Sequence, residues 1–370
     1  MIRVAQIGIV RPRDAIDPDR LLADWPTLAD IATATQRAGA EVTVVQSFHR
    51  DVEIVRDGVR YRFVADPALP SRATGLMPWR LARAVAATAP DVLHVNGLDF
   101  PRHMPALHKL GVPILVQDHA SRAGVGGSRR RRALAHIAGI AFTAAEQAQP
   151  FVDAGELSPR VRVFAVPESS TRFSSGSQAA ARARTGITGD PAVLWVGRLD
   201  DNKDPLTILE AIEIAARDLP RLQLSCCFHE QPLLGEVEAR IAASPGLAGR
   251  VHLLGRVPHA RIETLLNASD FFLLGSHREG SGYALIEALA CGVTPIVSDI
   301  APFRAIAGSV GALVPTGDAK GFARALVTLA RQDRVMLRRR AVEHFAAQLS
   351  FARVGALLCA TYAELIAGRR

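Results

Sequence analysis

Short apolar runs alternate with stretches of helical periodicity along almost the whole chain. In the first half, Arg3–Val10, Glu41–Gln46, Val92–Val95, Ile114–Gln117, Ile140–Thr143 and Val161–Val166 predict strands. Leu28–Ala38, Leu81–Ala87 and Arg129–Ala135 predict helices between them. A stretch rich in Ser, Thr, Gly and Ala follows at Pro167–Gly189. The alternation then restarts, with strands expected at Ala192–Val196, Leu222–Phe228, Val251–Leu254, Phe271–Leu274 and Pro295–Val297. Helices are expected at Pro205–Arg217, Gly235–Ala243, His259–Asn267, Tyr283–Ala290 and Lys320–Arg331. Such alternation predicts two α/β domains, each a doubly wound parallel sheet covered on both faces. The tail from Val342 to Ile366 carries Phe345, Leu349, Val354, Leu357, Leu358, Tyr362 and Leu365 at helical spacing. An amphipathic helix must lay its apolar face on something, and here it is expected to cross back to the first domain. The predicted organisation is a first domain over 1–172, a linker over 173–189, a second domain over 190–341 and a returning helix over 342–370.

The 370 residues suit two such domains, and 49% hydrophobic with 22% charged residues is ordinary for a soluble globular protein. No apolar run reaches the ~18–20 residues of a membrane span. The opening MIRVAQIGIV reads as a buried strand rather than an export signal, which predicts a cytoplasmic protein. Cys226, Cys227, Cys291 and Cys359 form no C-x-x-C pair and read as buried thiols. The net charge of +8 is carried almost wholly by arginine, since lysine occurs only at Lys109, Lys203 and Lys320. Nucleic acid, an anionic membrane face or a phosphorylated small molecule would fit that charge. Nucleic acid is the weakest of the three, because no helix-turn-helix, zinc-finger or aromatic RNA-binding signature is present.

Two stretches carry candidate chemistry. Val196-Gly197-Arg198-Leu199 follows a strand, and Lys203 comes five residues after Arg198. Cations on such a loop lie where open parallel sheets bind ligands, and they suit a phosphate. The second stretch, SHREGSGYALIEALACGVTPIVSD from Ser276 to Asp299, places seven residues between Glu279 and Glu287. Gly280 and Gly282 let backbone approach a ligand before a helix N-terminus, a favourable place for an anion. The carboxylates suit sugar or ribose hydroxyls. Asp17-Pro18-Asp19 and the pair His103 and His108 are weak metal motifs, and no metal site is expected. The run Arg129–Arg132 is either a solvated face or a contact for an anionic acceptor or membrane surface.

The second half resembles the retaining, nucleotide-sugar-dependent glycosyltransferases of family 4, which have the GT-B fold. The resemblance rests on VGRLDDNKDP, ASDFFLLGSHREGSGYALIEALACGVTPIVSD and GALVPTGD, and it spans nearly all of Ala192–Leu329. AGAEVTVVQS, DVLHVNG, PILVQDH and the tail SFARVGALLCATYAELI match more weakly. The resemblance implies two Rossmann-like domains facing across a cleft, the first for acceptor and the second for donor. It implies that Arg198 and Lys203 bind the donor diphosphate and that Glu279 contacts donor-sugar hydroxyls. Gly197 belongs to the same donor loop. Gly280, Ser281, Gly282 and Tyr283 match the loop whose amides meet sugar and phosphate. Glu287 matches the acceptor of the ribose diol, Val257 the base contact, and His119 a histidine near the transferred sugar. The implied reaction is glycosyl transfer to an acceptor hydroxyl with retained anomeric configuration, without metal or other cofactor. The acceptor class stays open among glycan, lipid-linked and small-molecule hydroxyls, with a peripheral contact at an anionic membrane. Departures are the missing Gly pair after the first strand, Ser281 in place of an aromatic, and Pro167-Glu168-Ser169 in place of Pro-Asn-Gly. Two rival readings are a nucleotide-sugar epimerase on the same fold and a non-catalytic sugar-nucleotide-binding protein.

Overall fold

The computed structural model describes residues 1–65, 79–98, 100, 103–119, 122–125 and 127–368. The chain divides into two compact units, one of Met1–Ser169 with Phe351–Arg370 and one of Ser170–Ser350.

The first unit contains β1 (Arg3–Gly8), β2 (Glu41–Phe48), β3 (Val52–Arg56), β4 (Val59–Ala65), β5 (Val92–Asn96), β6 (Ile114–Gln117), β7 (Gly139–Phe142) and β8 (Arg162–Ala165). They form one sheet in the order β3-β4-β2-β1-β5-β6-β7-β8. All neighbours run parallel except β3 and β4, an antiparallel hairpin. That hairpin is absent from the sequence-based expectation. Its signal is Asp57-Gly58, both at positive φ (51° and 79°), the backbone that a two-residue hairpin turn requires. Trp79–Ala86 and Gly127–Leu134 are helical, as their spacing predicts.

The helix Phe351–Ala367 packs on Pro26–Arg37 and buries Val354, Leu358, Tyr362 and Leu365 along one stripe. Gly355 permits the approach: a Cβ there would lie 2.3 Å from the Ala34 carbonyl oxygen. Among the described residues, the stretch Arg334–Ala367 is long and apolar enough to cross a membrane by length and composition, contrary to the reading that no run qualifies. Ser350, with extended backbone (ψ 155°), breaks it. Its second half spends its apolar stripe on the first unit's core rather than presenting it outward.

The second unit contains β9 (Ala192–Gly197), β10 (Gln223–Phe228), β11 (Val251–Gly255), β12 (Phe271–Leu274), β13 (Thr294–Ser298) and β14 (Ala312–Val314). The order is β11-β10-β9-β12-β13-β14, all parallel. The central strands are buried on both faces, which explains the unbroken apolar run Phe271–Leu274. Trp195, Phe271, Phe272, Phe303 and Phe322 fill this core. Aspartate side chains cap the helices at Asp204, Asp318 and Asp333, each accepting from backbone N–H groups of the first turn.

The segment expected as a linker, 173–189, is structured and belongs to this unit. Ser177 caps the helix Gln178–Thr185. Arg182 then donates to the Ala268 carbonyl at 3.0 Å and pairs with Asp270 at 2.8 Å. The second unit likewise runs past 341 and ends at Ser350.

Candidate functional site

In the second sheet the chain lays β9, β10 and β11 to one side and then crosses to place β12 against β9. The loops leaving β9 and β12 therefore diverge at the strands' C-terminal ends, which opens a crevice suited to a ligand. A cavity of about 760 Å³ lies there.

The loop after β9 is fixed from within. Leu199 is buried and exchanges backbone hydrogen bonds with Glu230 and Leu233. The Asp200 carboxylate accepts from the Lys203 backbone N–H at 2.9 Å. Asp204 takes a left-handed conformation (φ 45°) and caps the following helix at the Thr207 N–H. The loop after β12 is stapled to it by two bonds: His277 N–H donates to the Asn202 carbonyl at 2.8 Å, and the Asn202 amide donates to the Arg278 carbonyl at 3.0 Å.

The stapling sets Lys203 Nζ against the Glu279 carboxylate, both mostly shielded from solvent. Arg198 remains more open and pairs with Asp200 at 2.9 Å and Glu230 at 3.5 Å. Gly282 begins the helix Tyr283–Ala290 at φ 63°, and a Cβ there would lie 2.5 Å from the Ile306 side chain. Only glycine satisfies both the dihedral and the space.

Gly197, Arg198, Lys203, Val257, Glu279, Ser281, Gly282 and Tyr283 all line this one cavity. Gly280 lies between two of its lining residues in the chain. Glu287 is different. It is 8% exposed and does not itself line the cavity. Its Oε1 meets His259 Nε2 at 2.6 Å, and His259 does line the cavity. Burial holds the Glu287 carboxyl above the usual carboxylate range, and the hydrogen bond from His259 only partly offsets this.

Sequence reasoning did not single out His259 or Arg256, which stand on the loop after β11, a third strand end at the same rim. The signal was available, because Val257 already marked that loop. Arg256 is exposed and adds a third cation to the cavity wall.

His119 belongs to the first unit, just beyond β6. Its Nδ1 lies 2.5 Å from Glu168 Oε1. The residue that departs from Pro-Asn-Gly thus orients this histidine. Asp17 and Asp19 are engaged with Arg50 and Arg56. His103 is buried with its Nδ1 on the Phe100 carbonyl. Among the described residues, no three His, Cys, Asp or Glu side chains converge as metal ligands. Arg130 corrects the picture of a uniformly solvated run: it is buried beside Glu156 at 3.7 Å and over the Phe151 ring at 5.2 Å. Arg131 and Arg132 are exposed, and the Arg129 side chain lies outside the described residues. The thiols of Cys226, Cys227 and Cys291 are free and buried, and Cys359 is half-buried.

Residues 190–332 match the family model of the group 1 glycosyl transferases. A GDP-mannose:cellobiosyl-diphosphopolyprenol alpha-mannosyltransferase of Xanthomonas campestris is 29% identical over 238 residues, 61% of this chain and 60% of the relative. A phosphatidyl-myo-inositol mannosyltransferase of Mycobacterium leprae is 32% identical over 168 residues, 44% of this chain and 42% of the relative. The match thus spans less than two thirds of either relative. An Anabaena protein solved in complex with UDP and glucose superposes with a TM-score of 0.66 at 15% identity, covering 98% of this chain and 100% of the other. Over residues 190–332 the chain is thus similar to the group 1 glycosyl transferases, and its two α/β units have the GT-B fold.

Proposed function

We propose that the chain transfers a glycosyl group from a nucleoside-diphosphate sugar to an acceptor hydroxyl with retention of anomeric configuration. One observation carries this reading. Arg198, Lys203 and Glu279 meet on one cavity at the reversal point of the second sheet, beside a glycine-started helix. Cations there suit a diphosphate, a carboxylate suits sugar hydroxyls, and the helix N-terminus adds backbone donors.

The second unit is thereby the donor domain and the first the acceptor domain. When the bond from the anomeric carbon to the diphosphate breaks, charge grows on the leaving oxygens. Arg198 and Lys203 are placed to stabilise that charge, and a preformed arrangement of this kind is a large catalytic term. The acceptor oxygen bonds to the anomeric carbon on the face the diphosphate leaves, and its proton passes to a phosphate oxygen. Glu279 holds donor-sugar hydroxyls, and Lys203 is its ion-pair partner. Glu287 takes the ribose diol and Val257 packs on the base. His119, oriented by Glu168, is the first-unit residue assigned to the transferred sugar. The protein cations take the place of a metal, and no other cofactor is needed.

Both relatives named above act, by name, on acceptors that carry phosphate, and this chain has a net charge of +8. A phosphate-bearing, lipid-linked acceptor at the inner face of a membrane is therefore the class we assign. The test is release of nucleoside diphosphate from UDP-glucose, UDP-galactose and GDP-mannose with and without a lipid extract, followed by NMR of the product. Acceptor-dependent release with the donor's anomeric configuration preserved is expected. Epimerised donor without transfer, or an inverted linkage, would sink the reading.

A further inference from the structure

Glu287 is the residue assigned above to the ribose, yet it is screened from the cavity. The side chain that screens it is His259. The imidazole Nε2 lies 2.6 Å from Glu287 Oε1. His259 lines the cavity, whereas Glu287 does not. The imidazole is 73% exposed against 11% for the carboxylate, so the histidine stands on the solvent side of the pair. Its ring leans on Phe173, with centroids 4.8 Å apart and planes tilted by 30°. Phe173 comes from the segment that enters the second unit and packs on that unit's core, so it fixes one wall of the imidazole's seat.

A carboxylate has two oxygens and no donor. A ribose diol brings two O–H donors side by side and needs both oxygens, or both faces of one. In the structure one oxygen is already taken by a ring whose body fills the approach. The ring is held by one hydrogen bond and one aromatic contact, with most of its surface in solvent, so it can swing aside without unpacking the core.

We propose that His259 is the gate of the ribose subsite, a placeholder occupying the diol's place on Glu287 until a ribonucleotide displaces it. The inference rests on the donor reading given above. The imidazole is a mimic of the ligand's donors, and its hydrogen bond sets a threshold that only a 2′,3′-diol overcomes. A nucleotide without the diol leaves the pair intact. The gate therefore lowers affinity for every ribonucleotide by the strength of the displaced contact, while a vacant subsite never exposes a bare buried carboxylate.

The test is calorimetric titration of UDP and GDP, and of their 2′,3′-dideoxy forms, into the intact chain and into its His259→Ala and Glu287→Ala variants. His259 is exposed, so its truncation removes no core packing and takes from Glu287 only its imidazole partner. The expected result is ribonucleotide binding tighter by about threefold or more in His259→Ala, the scale of one hydrogen bond, with dideoxy binding unchanged. Ribonucleotide affinity that stays equal or weakens in His259→Ala overturns the gate, as does equal tightening for the dideoxy forms. Glu287→Ala separates the two readings. If it abolishes the preference for ribose while His259→Ala has no effect, the gate alone fails. If it leaves the ribose preference intact, the ribose assignment itself fails and the gate with it.

Discussion

The two units are variations on one plan, and they spend their polar residues differently. Each is a sheet, wholly parallel in the second unit and parallel but for one edge hairpin in the first, in which the chain fills one side and then crosses to the other. In the second unit the charged groups are brought to the strand ends: Arg198, Lys203 and Glu279 face a cavity. In the first unit polar groups are drawn into the core. His94 is buried on β5 with its Nδ1 2.7 Å from the Tyr362 hydroxyl of the returning helix. Gln6 and Thr35 are buried nearby and bond each other at 3.5 Å. The difference teaches that the shared architecture provides the crevice, while the loop residues decide whether the crevice does chemistry.

The sharpest way to break the comparison is to remove a cation from the second unit. Lys203→Ala should lower turnover by about 100- to 1000-fold, the usual scale for losing one preorganised charge-stabilising donor, with circular dichroism unchanged. Arg198→Ala should follow with a smaller loss, because its side chain is 42% exposed and better screened. A variant within twofold of the wild-type rate in steady-state assays, roughly the scatter of a surface substitution, would contradict the diphosphate role.

Acid should separate the units. Burial, with a smaller contribution from His119, pushes the His94 imidazole down to about 3, so it is neutral in the folded first unit. The unfolded chain takes up that proton from about pH 6.5 downward. Stability from this group is therefore present above that value and is lost as pH falls towards 3, at about 1.4 kcal/mol per pH unit. Hydrogen exchange read separately on the two units should show the first loosening over this window. Equal protection at pH 7 and pH 4 would refute a buried neutral His94.

Tyr362→Phe isolates the contact that joins the returning helix to β5. It removes the hydroxyl and leaves a second nitrogen of a buried imidazole without a protein partner, since Nε2 already has none. The expected cost is about 1–3 kcal/mol, seen as a lower denaturation midpoint, with nucleotide affinity unchanged. A stability change in the second unit alone would place the contact wrongly.

The smallest effect concerns Glu287, whose sign is opposite to that of His94. Burial raises its carboxyl, so the folded state holds the proton more tightly than the unfolded chain. Its favourable contribution is complete below the ordinary glutamate range and is lost as pH rises through the raised value. On the ribose role proposed for Glu287, nucleotide binding uses the ionised form and should strengthen over the same rise. Glu287→Gln should flatten both trends, and a variant that keeps the pH dependence of binding would show that another group controls it.

Much of this was legible before any coordinates. Continuous apolar runs such as Phe271–Leu274 and Ile114–Gln117 announce strands buried on both faces, and Asp204-Pro205 announces a capped helix. Arg198 and Lys203 could be read because they follow such a run, and Glu279, Gly280 and Gly282 because a glycine turn opens the next helix; Val257, Ser281 and Tyr283 came only with the family resemblance. The hairpin of β3 and β4 was missed although Asp57-Gly58 marks it, because Val52–Arg56 is half-exposed and alternates only weakly. The linker was misread because Gln178 and Arg182 declare their allegiance only through partners about 90 residues away, at Ala268, Ser269 and Asp270. His259 over Glu287 and Glu168 on His119 were hidden for the same reason: each is a side-chain meeting between residues far apart in the chain, with no local pattern to betray it.

The central claim is that the second unit holds a donor diphosphate through Lys203 and Arg198. It is tested most directly by titrating UDP and GDP into the wild-type chain and into Lys203→Ala. The account predicts that at least one nucleotide binds the wild type and that the variant binds it about tenfold or more weakly, the worth of one charge-assisted contact. Equal affinity in the two proteins, for a nucleotide that does bind, would contradict it.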